Sequence, residues 1–522
     1  MEFVLDTLSL TLCLVVVFVT SLYMYGTRTF NYWKVRGIPY LKPLPFVGTQ
    51  LFMFTNSASH IDYYSDIYKQ YDKERYVGLF QFQDPQLFVR DPKMINDILI
   101  SNFNDFHDRG LYTNFKLNPL NATLLRLEGS MWRNLRKKSS PVFTVGKLKT
   151  MIGEVEKIAL DLVRLMEKKT EESACVDVRE LAVQFTTKAI GSVAFGVDLD
   201  TLDDPESEFV KKAANVFGYT ARRVTNELLS SVHPKLTTLL GLKSFDPKVE
   251  RFYLDFVKDA VAYRENHNYQ RNDFLQLLIN LRKDDVLAKP SNDVVDSGYE
   301  NSDFGDKEVV LDDKLLAANV FIFFIAGFDT TSTSLSHCLL ELAVNPDIQE
   351  KTRQEILAMT KDTEKLTYEV IQSMKYLDQV ISENLRKNSP VVNIFRKVTN
   401  PYQIPGTDVV LDKEVNIYIP IYAIHNDPKY YPEPHRFDPD RFSEENAANL
   451  NNGTYLPFGD GPRICIGKRF ALMELKVALI HLLTRFKFGV TEKTEYPLEY
   501  RTGTMFLIPK GGIWLKVEKI LK

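Results

Sequence analysis

Cysteine is scarce in this chain. Four stand in 522 residues, at Cys13, Cys175, Cys338 and Cys465, far apart in the sequence. None has the paired spacing of a zinc site or a redox dithiol, and so low a count suits a reducing compartment. Net charge is also small, −3 at pH 7, so no global field draws in nucleic acid. The eight histidines, His337, His425 and His435 among them, include no pair set at ligand spacing with a carboxylate. They are read as structural or solvated rather than metal-binding. No G-x-G-x-x-G follows a strand-like run, so neither nicotinamide nor flavin binding is visible.

Apolar material is plentiful: 44% of residues are hydrophobic and 25% charged, the composition of a folded protein with a large core. Residues 8–25, LSLTLCLVVVFVTSLYMY, carry no charge. Their length approaches the roughly 20 apolar residues needed to cross a bilayer. Glu2 and Asp6 precede this run, whereas Arg28, Lys34 and Arg36 follow it. The charge bias places the remainder of the chain in the cytosol. Pro39, Pro43 and Pro45 then make a stiff connector. The expected organisation is an anchor over 1–27, a basic, proline-rich connector over 28–48, and one body over 49–522.

Within the body, residues 76–90 have strand character, with turn signals at Asp84-Pro85 and Asp91-Pro92. From Pro92 to Ala343 apolar residues mostly recur at helical spacing. An acidic, polar stretch from Asp284 to Asp313 reads as an exposed loop. Residues 314–345 are apolar around most of the helical circumference, which predicts a helix buried in the centre of the fold. Residues 390–437 read as short strands and loops. The ending TGTMFLIPKGGIWLKVEKI predicts a hairpin turning at Lys510-Gly511-Gly512. The fold class expected is mainly α with a minor β portion.

The stretch Phe458-Gly459-Asp460-Gly461-Pro462-Arg463-Ile464-Cys465-Ile466-Gly467 precedes a helical run. A sulfur just ahead of a helix start meets free N–H groups and a dipole that favour thiolate. Gly461 and Gly467 permit close approaches, and Arg463 could bind a carboxylate of a flat ligand. The spacing Phe458-x-x-Gly461-x-Arg463-x-Cys465-x-Gly467 resembles the haem signature of the cytochrome P-450 family. Ala326-Gly327-Phe328-Asp329-Thr330-Thr331 resembles its oxygen-binding motif, where glycine and hydroxyls favour a local widening of the helix. Glu383-Asn384-Leu385-Arg386 and the later Arg441 resemble its structural acid–arginine triad. FHDRGLYTN, LEGSMWRNLRKKSSPVFTVGKLK and PKGGIWLKVEKI are similar to the microsomal, foreign-compound-oxidising branch of insects.

The resemblance implies a single haem-thiolate fold behind an N-terminal transmembrane helix in the endoplasmic reticulum. It implies haem b with Cys465 as the iron ligand, O2 as co-substrate, and NADPH used only through a flavoprotein reductase. Cytochrome b5 is left open as a second donor. Trp132, Arg136, Arg396, Phe458, Arg463 and Gly467 would hold the haem. Asp329 and Thr330 would relay protons. Arg133, Lys137, Lys468 and Arg469 would dock the reductase. Leu111, Phe115, Phe217, Phe321, Phe324, Val392, Ile394, Met505 and Phe506 would line the substrate pocket. The segment KNSPVVNIF departs from the pattern where bulkier residues are usual, which bears on selectivity. The activity implied is insertion of one oxygen atom into a lipophile, for detoxification or, alternatively, for hormone or fatty-acid metabolism. Two rivals stay open: a haem-thiolate isomerase or dehydratase of peroxides, and a non-catalytic haem sensor or carrier.

Overall fold

The first helix explains itself by what it leaves uncovered. In the computed structural model, α1 (Glu2–Thr27) carries Leu14 62% and Phe18 68% exposed. An apolar helix with no protein partner belongs in lipid. The structure describes residues 2–111, 114–196, 212, 221–232, 234–271, 273–287, 311–361, 363, 365–447, 450 and 452–520. Behind α1 the connector docks firmly. Trp33 is fully buried and donates its Nε1–H to Leu79 O at 2.8 Å. Its indole lies where a Cβ on Gly78 would stand, so only glycine fits there.

A four-stranded sheet receives that connector, in the order β1 (Tyr76–Gln81), β2 (Asp84–Val89), β7 (Asn416–Ile419), β4 (Ile394–Lys397), with β5 (Tyr402–Gln403) and β6 (Val410–Leu411) paired as a separate ribbon. β1 and β2 form a hairpin whose register pairs Gln81 with Asp84. The turn is therefore at Phe82-Gln83, not at the expected Asp84-Pro85; Phe82 takes φ +56°. Pro85 pairs with Phe80 and lies just before the β2–β7 ladder, so its missing N–H costs nothing. Asp91 does act as a stop signal, accepting from Met94 N at 2.8 Å to cap the next turn.

The helical layer comprises α2 (His60–Gln70), α3 (Gly129–Ser139), α4 (Val145–Glu172), α5 (Val178–Ile190), α6 (Pro247–Asn266), α7 (Phe274–Leu287), α8 (Asp313–Val344), α9 (Pro346–Thr360), α10 (Lys375–Lys387) and α11 (Lys468–Leu483). Helix α7 runs to Leu287, so the polar stretch expected to begin at Asp284 starts later than its composition suggests. α8 is the buried central helix its apolar circumference predicts. It is capped by Asp312, which accepts from Leu315 N, and it ends before Pro346. Among its core residues Leu316, Ala318, Ile325, Leu339 and Leu342 are at most 1% exposed.

The chain end departs from its expected hairpin. β9 (Trp514–Lys519) pairs with β8 (Phe486–Gly489) and β3 (Cys175–Asp177), not with residues 502–508. Residues 499–501 pair instead with 508–510, through Arg501 N to Ile508 O and Lys510 N to Glu499 O. The glycines redirect the chain: Gly512 has φ +82° and sits against the Asp177 carboxylate, where no Cβ fits.

Gly327 has a packing role at the α5–α8 contact. A Cβ there would come within 2.8 Å of Ile190 Cδ1. No π or 3-10 turn interrupts α8 at this point, so the expected widening is absent. The Thr330 hydroxyl donates to Ala326 O at 2.7 Å within the continuous helix. Gly327→Ala is expected to destabilise the fold by about 1–3 kcal/mol through overpacking. Adding Ile190→Val should recover part of that loss in urea melts; equal loss with and without it would remove Ile190 as the cause.

Candidate haem-thiolate site

The cysteine loop is held from behind by buried charge. Glu383 and Arg386 on α10 form a two-pronged pair, Nε–Oε2 2.7 Å and Nη2–Oε1 2.9 Å, both fully buried. Arg386 spends its remaining donors on His425 O and Pro434 O, each at 2.7 Å. Glu383 also accepts from Asp438 N at 3.0 Å, and Arg441 approaches it at 3.5 Å. The three residues of the expected triad are thus brought together, with Arg441 the looser member. Breaking such a pair leaves an uncompensated interior charge.

His425 links this cluster to the loop. Its Nε2 accepts from Leu456 N at 2.8 Å, so the proton sits on Nδ1, which faces Arg386 O at 3.1 Å. Burial, with Arg386 nearby, lowers its pKa to about 3. Leu456 O in turn accepts from Gly459 N, and Phe458 O from Cys465 N at 2.9 Å. Gly461, at φ +69°, lies so close to Leu99 O that a side chain is excluded. The loop is therefore fixed on both sides.

Cys465 lies inside the molecule, yet no side chain covers it: the residue counts as exposed although Arg463 beside it is 3% exposed. Burial raises its thiol pKa above the ordinary value. The N–H groups of Gly467 and Lys468 and the guanidiniums of Arg136 and Arg109 act against that rise. A Cβ built on Gly467 meets nothing within 4 Å. On α8, Ala326 is likewise exposed although Ile325 and Phe324 are buried. Open volume thus borders both the sulfur and the middle of the core helix.

Guanidiniums crowd that volume. Arg396 is 1% exposed and Arg463 3%, and both repel Arg109. Burial and this repulsion lower Arg463 to about 9 and Arg396 well below its ordinary value; burial lowers Arg109 to about 10. The Nε atoms of all three, and Nη1 of Arg463, lack partners. Among the described residues the carboxylate paired with them is Asp108, 3.4 Å from Arg463 and already bonded to His107 Nδ1 and Gly129 N, while Glu128 acts on Arg463 without an ion-pair contact. Trp132 lies beneath Arg463, 4.0 Å from guanidinium to ring. Arg136 donates to Ile464 O at 2.9 Å, tying α3 to the loop. Orphaned cationic donors beside a bare sulfur and an empty glycine face fit a flat group with two carboxylates, as a haem has.

The expected proton relay is arranged differently from its motif. Asp329 is paired with Arg179 of α5 at 2.9 Å, and the same guanidinium donates to the hydroxyls of Ser332 and Thr333. Arg179 has no signal in the sequence. Arg109 and Asp108 lie within FHDRGLYTN, whose local pattern does not announce a charge cluster. Helical geometry also corrects two pocket residues. At 100° per residue, Phe321 and Phe324 fall about 140–160° from Ala326. They pack into the core with Phe245, Tyr253 and Phe195 instead. Ile322, missed in the sequence, shares the Ala326 face.

Of the other pocket candidates, Ile394 points toward Gly459 of the loop. Val392 packs with Ile61 and Leu507. Phe506 bridges Val391, and Met505 is half-buried. Phe115 packs near Trp132, and Leu111 is half-buried. Phe217 lies outside the described residues. Arg133, Lys137, Lys468 and Arg469 are all exposed and make no ion pair among the described residues. They flank the loop, because α3 and α11 both meet it.

Comparison with known proteins follows the same lines. A family model described as Cytochrome P450 matches residues 38–517. The chain is 38% identical over 519 residues to probable cytochrome P450 6a14 of Drosophila melanogaster, covering 98% of this chain and 99% of that protein. It is 37% identical over 505 residues to cytochrome P450 6a2 of the same organism, covering 95% and 97%. With cytochrome P450 6j1 of Blattella germanica the identity is 35% over 517 residues, 98% of each chain.

His425 and His337, the latter lowered by burial to about 4, are both held neutral. Their depressed folded pKa values mean that the stability they allow is complete above about pH 6.5 and is lost as pH falls toward 4. Between pH 7 and 5 each should cost about 2 kcal/mol. His337→Gln is therefore expected to flatten the decline of the urea midpoint over that range. An unchanged slope would show that His337 titrates as an ordinary histidine.

Proposed function

The chain belongs to the cytochrome P450 family, and we propose that it uses haem b, bound at Cys465, to place one atom of O2 into lipophilic molecules that enter from the membrane. It is a haem-thiolate monooxygenase, held on the endoplasmic reticulum membrane by α1 with its catalytic body in the cytosol. The observation that carries the finer reading is the bare sulfur of Cys465 beside guanidinium nitrogens of Arg109, Arg396 and Arg463 that have no partner. When bound, the haem supplies oxygen activation and the thiolate supplies electron density to it.

The protein's own residues do the rest. Arg396, Arg463, Trp132 and Arg136 hold the two carboxylates of the cofactor, and Arg109 joins them; the planar fork of arginine suits that task. Phe458 and Gly467 leave room for the flat ring. Thr330 would hold a deliverable proton on Oγ1, and must turn it away from Ala326 O to deliver it. Asp329 resupplies Thr330 through water only when Arg179 lets its carboxylate go. Ala326 and Ile322 present a small apolar face to the substrate, and Ile394, Val392, Phe506 and Met505 close the opposite side.

Electrons come from a flavoprotein reductase fed by NADPH, drawn to Arg133, Lys137, Lys468 and Arg469 as a local basic face. Clearance of foreign lipophiles is the role favoured, because the relatives at 35–38% identity extend along the whole chain and the polar side chains nearest the Ala326 face are already bonded, Asn319 to Leu124 N and Leu315 O and Thr330 to Ala326 O.

With reductase, NADPH and a panel of lipophiles under 18O2, products are expected to carry one heavy oxygen atom. Oxygen uptake that fails with every substrate would favour a sensor or carrier, and turnover without reductase would favour a peroxide isomerase. Reversing charge at Arg133 and Lys137 should lower reductase-supported turnover about tenfold through lost electrostatic steering. It should leave a peroxide-driven reaction intact; equal loss in both assays would mean the change damages the catalytic body.

A further inference from the structure

A groove of about 750 Å3 opens between α2 and the segment from Tyr422 to His435. That is within the size range of small-molecule sites. We propose that it is a second ligand site, taking an amphipathic organic anion with an acidic head on an apolar or aromatic body. The reading does not rest on the haem site.

Arg90, just after β2, carries the argument. It is 8% exposed and lines the groove. Its guanidinium lies 4.1 Å over the Tyr68 ring. Nη1 donates to Tyr71 O and Glu74 O, both at 2.6 Å, and Nε has no partner. No carboxylate pairs with it among the described residues. A buried guanidinium without a counter-ion is costly, and an acid presented from the groove would meet it with charge-assisted bonds.

The nearby acids are committed elsewhere. Asp91 pairs with Arg75 at 2.9 Å and caps the following turn through Met94 N. Asp427 accepts from the Tyr68 hydroxyl at 2.7 Å and from Lys429 N at 2.8 Å. On the rim Lys69, Lys73 and Lys429 stand against Asp62, Asp72 and Glu74, so those charges cancel. Asp427 keeps its charge, so the lining is neutral overall, and what singles out Arg90 is its burial without an ion-pair partner among the described residues. Below it Ile61, Tyr422 and Tyr430 offer an apolar and aromatic bed. Ile61 packs on Val392 and Leu507, so one layer of side chains separates the groove from the expected catalytic chamber. A test must tell the two apart.

The haem-loaded full chain in lipid nanodiscs would be photolabelled with a diazirine-bearing decanoate and with its neutral primary amide. Labelled peptides would then be mapped by mass. The carboxylate is expected to mark residues 61–75 and 422–430, even when an imidazole fills the catalytic chamber. Arg90→Gln should reduce that label about tenfold, the effect of losing one charge-assisted contact, and the amide should label as weakly. Should Arg90→Gln fail to fold, the exposed pair Lys69→Glu and Lys429→Glu serves instead and should repel the acid. Labelling confined to the chamber, equal labelling by the amide, or indifference to both sets of substitutions would overturn the proposal.

Discussion

Burying a guanidinium costs several kcal/mol unless an anion meets it, and this fold gathers Arg109, Arg396 and Arg463 where each raises the cost of the others. Asp108 is the one carboxylate in ion-pair contact with them among the described residues, and it is shared with His107 and Gly129. Under the proposed function a dianion completes the arrangement. Everything nearby serves that completion: α3 brings Trp132 and Arg136, β4 brings Arg396, and the cysteine loop brings Arg463 and the sulfur. The binding of the cofactor and the stability of this region are thus one problem in electrostatics.

The same economy appears behind the loop, where it is already satisfied. Arg386 is fully buried, and its guanidinium is hydrogen-bonded to Glu383, His425 O and Pro434 O. Through His425 and Leu456 that cluster reaches Gly459. One arginine cluster is closed by protein atoms and holds the loop rigid. The other is left open toward the cavity, where the proposed function seats the ligand. Rigidity on one side is what lets the sulfur keep its place without side chains packed over it.

Much of this was legible in the sequence because the motifs encode local geometry. The glycines, arginine and cysteine of 458–467 are near neighbours in the chain, as are Glu383 and Arg386. The central helix announced itself by being apolar on every face. The losses have a common cause, since they depend on partners distant in sequence. Arg179 captures Asp329 from 150 positions away, and Ile190 explains Gly327 better than any role in oxygen binding. The KGG stretch turns the chain toward Asp177 instead of back on itself. Phe321 and Phe324 were misplaced for a different reason: their helical phase opposes Ala326, a fact of 3.6-residue periodicity that the sequence does contain.

The central claim is that anionic sulfur from Cys465 binds the iron of a haem. The most direct measurement is the absorption spectrum of the chemically reduced, carbon monoxide-treated holoprotein. The account predicts a Soret band moved to the long-wavelength position that thiolate opposite the gas produces, and its loss in Cys465→Ala. A band at the position typical of histidine ligation, or one that survives unchanged in Cys465→Ala, would contradict it.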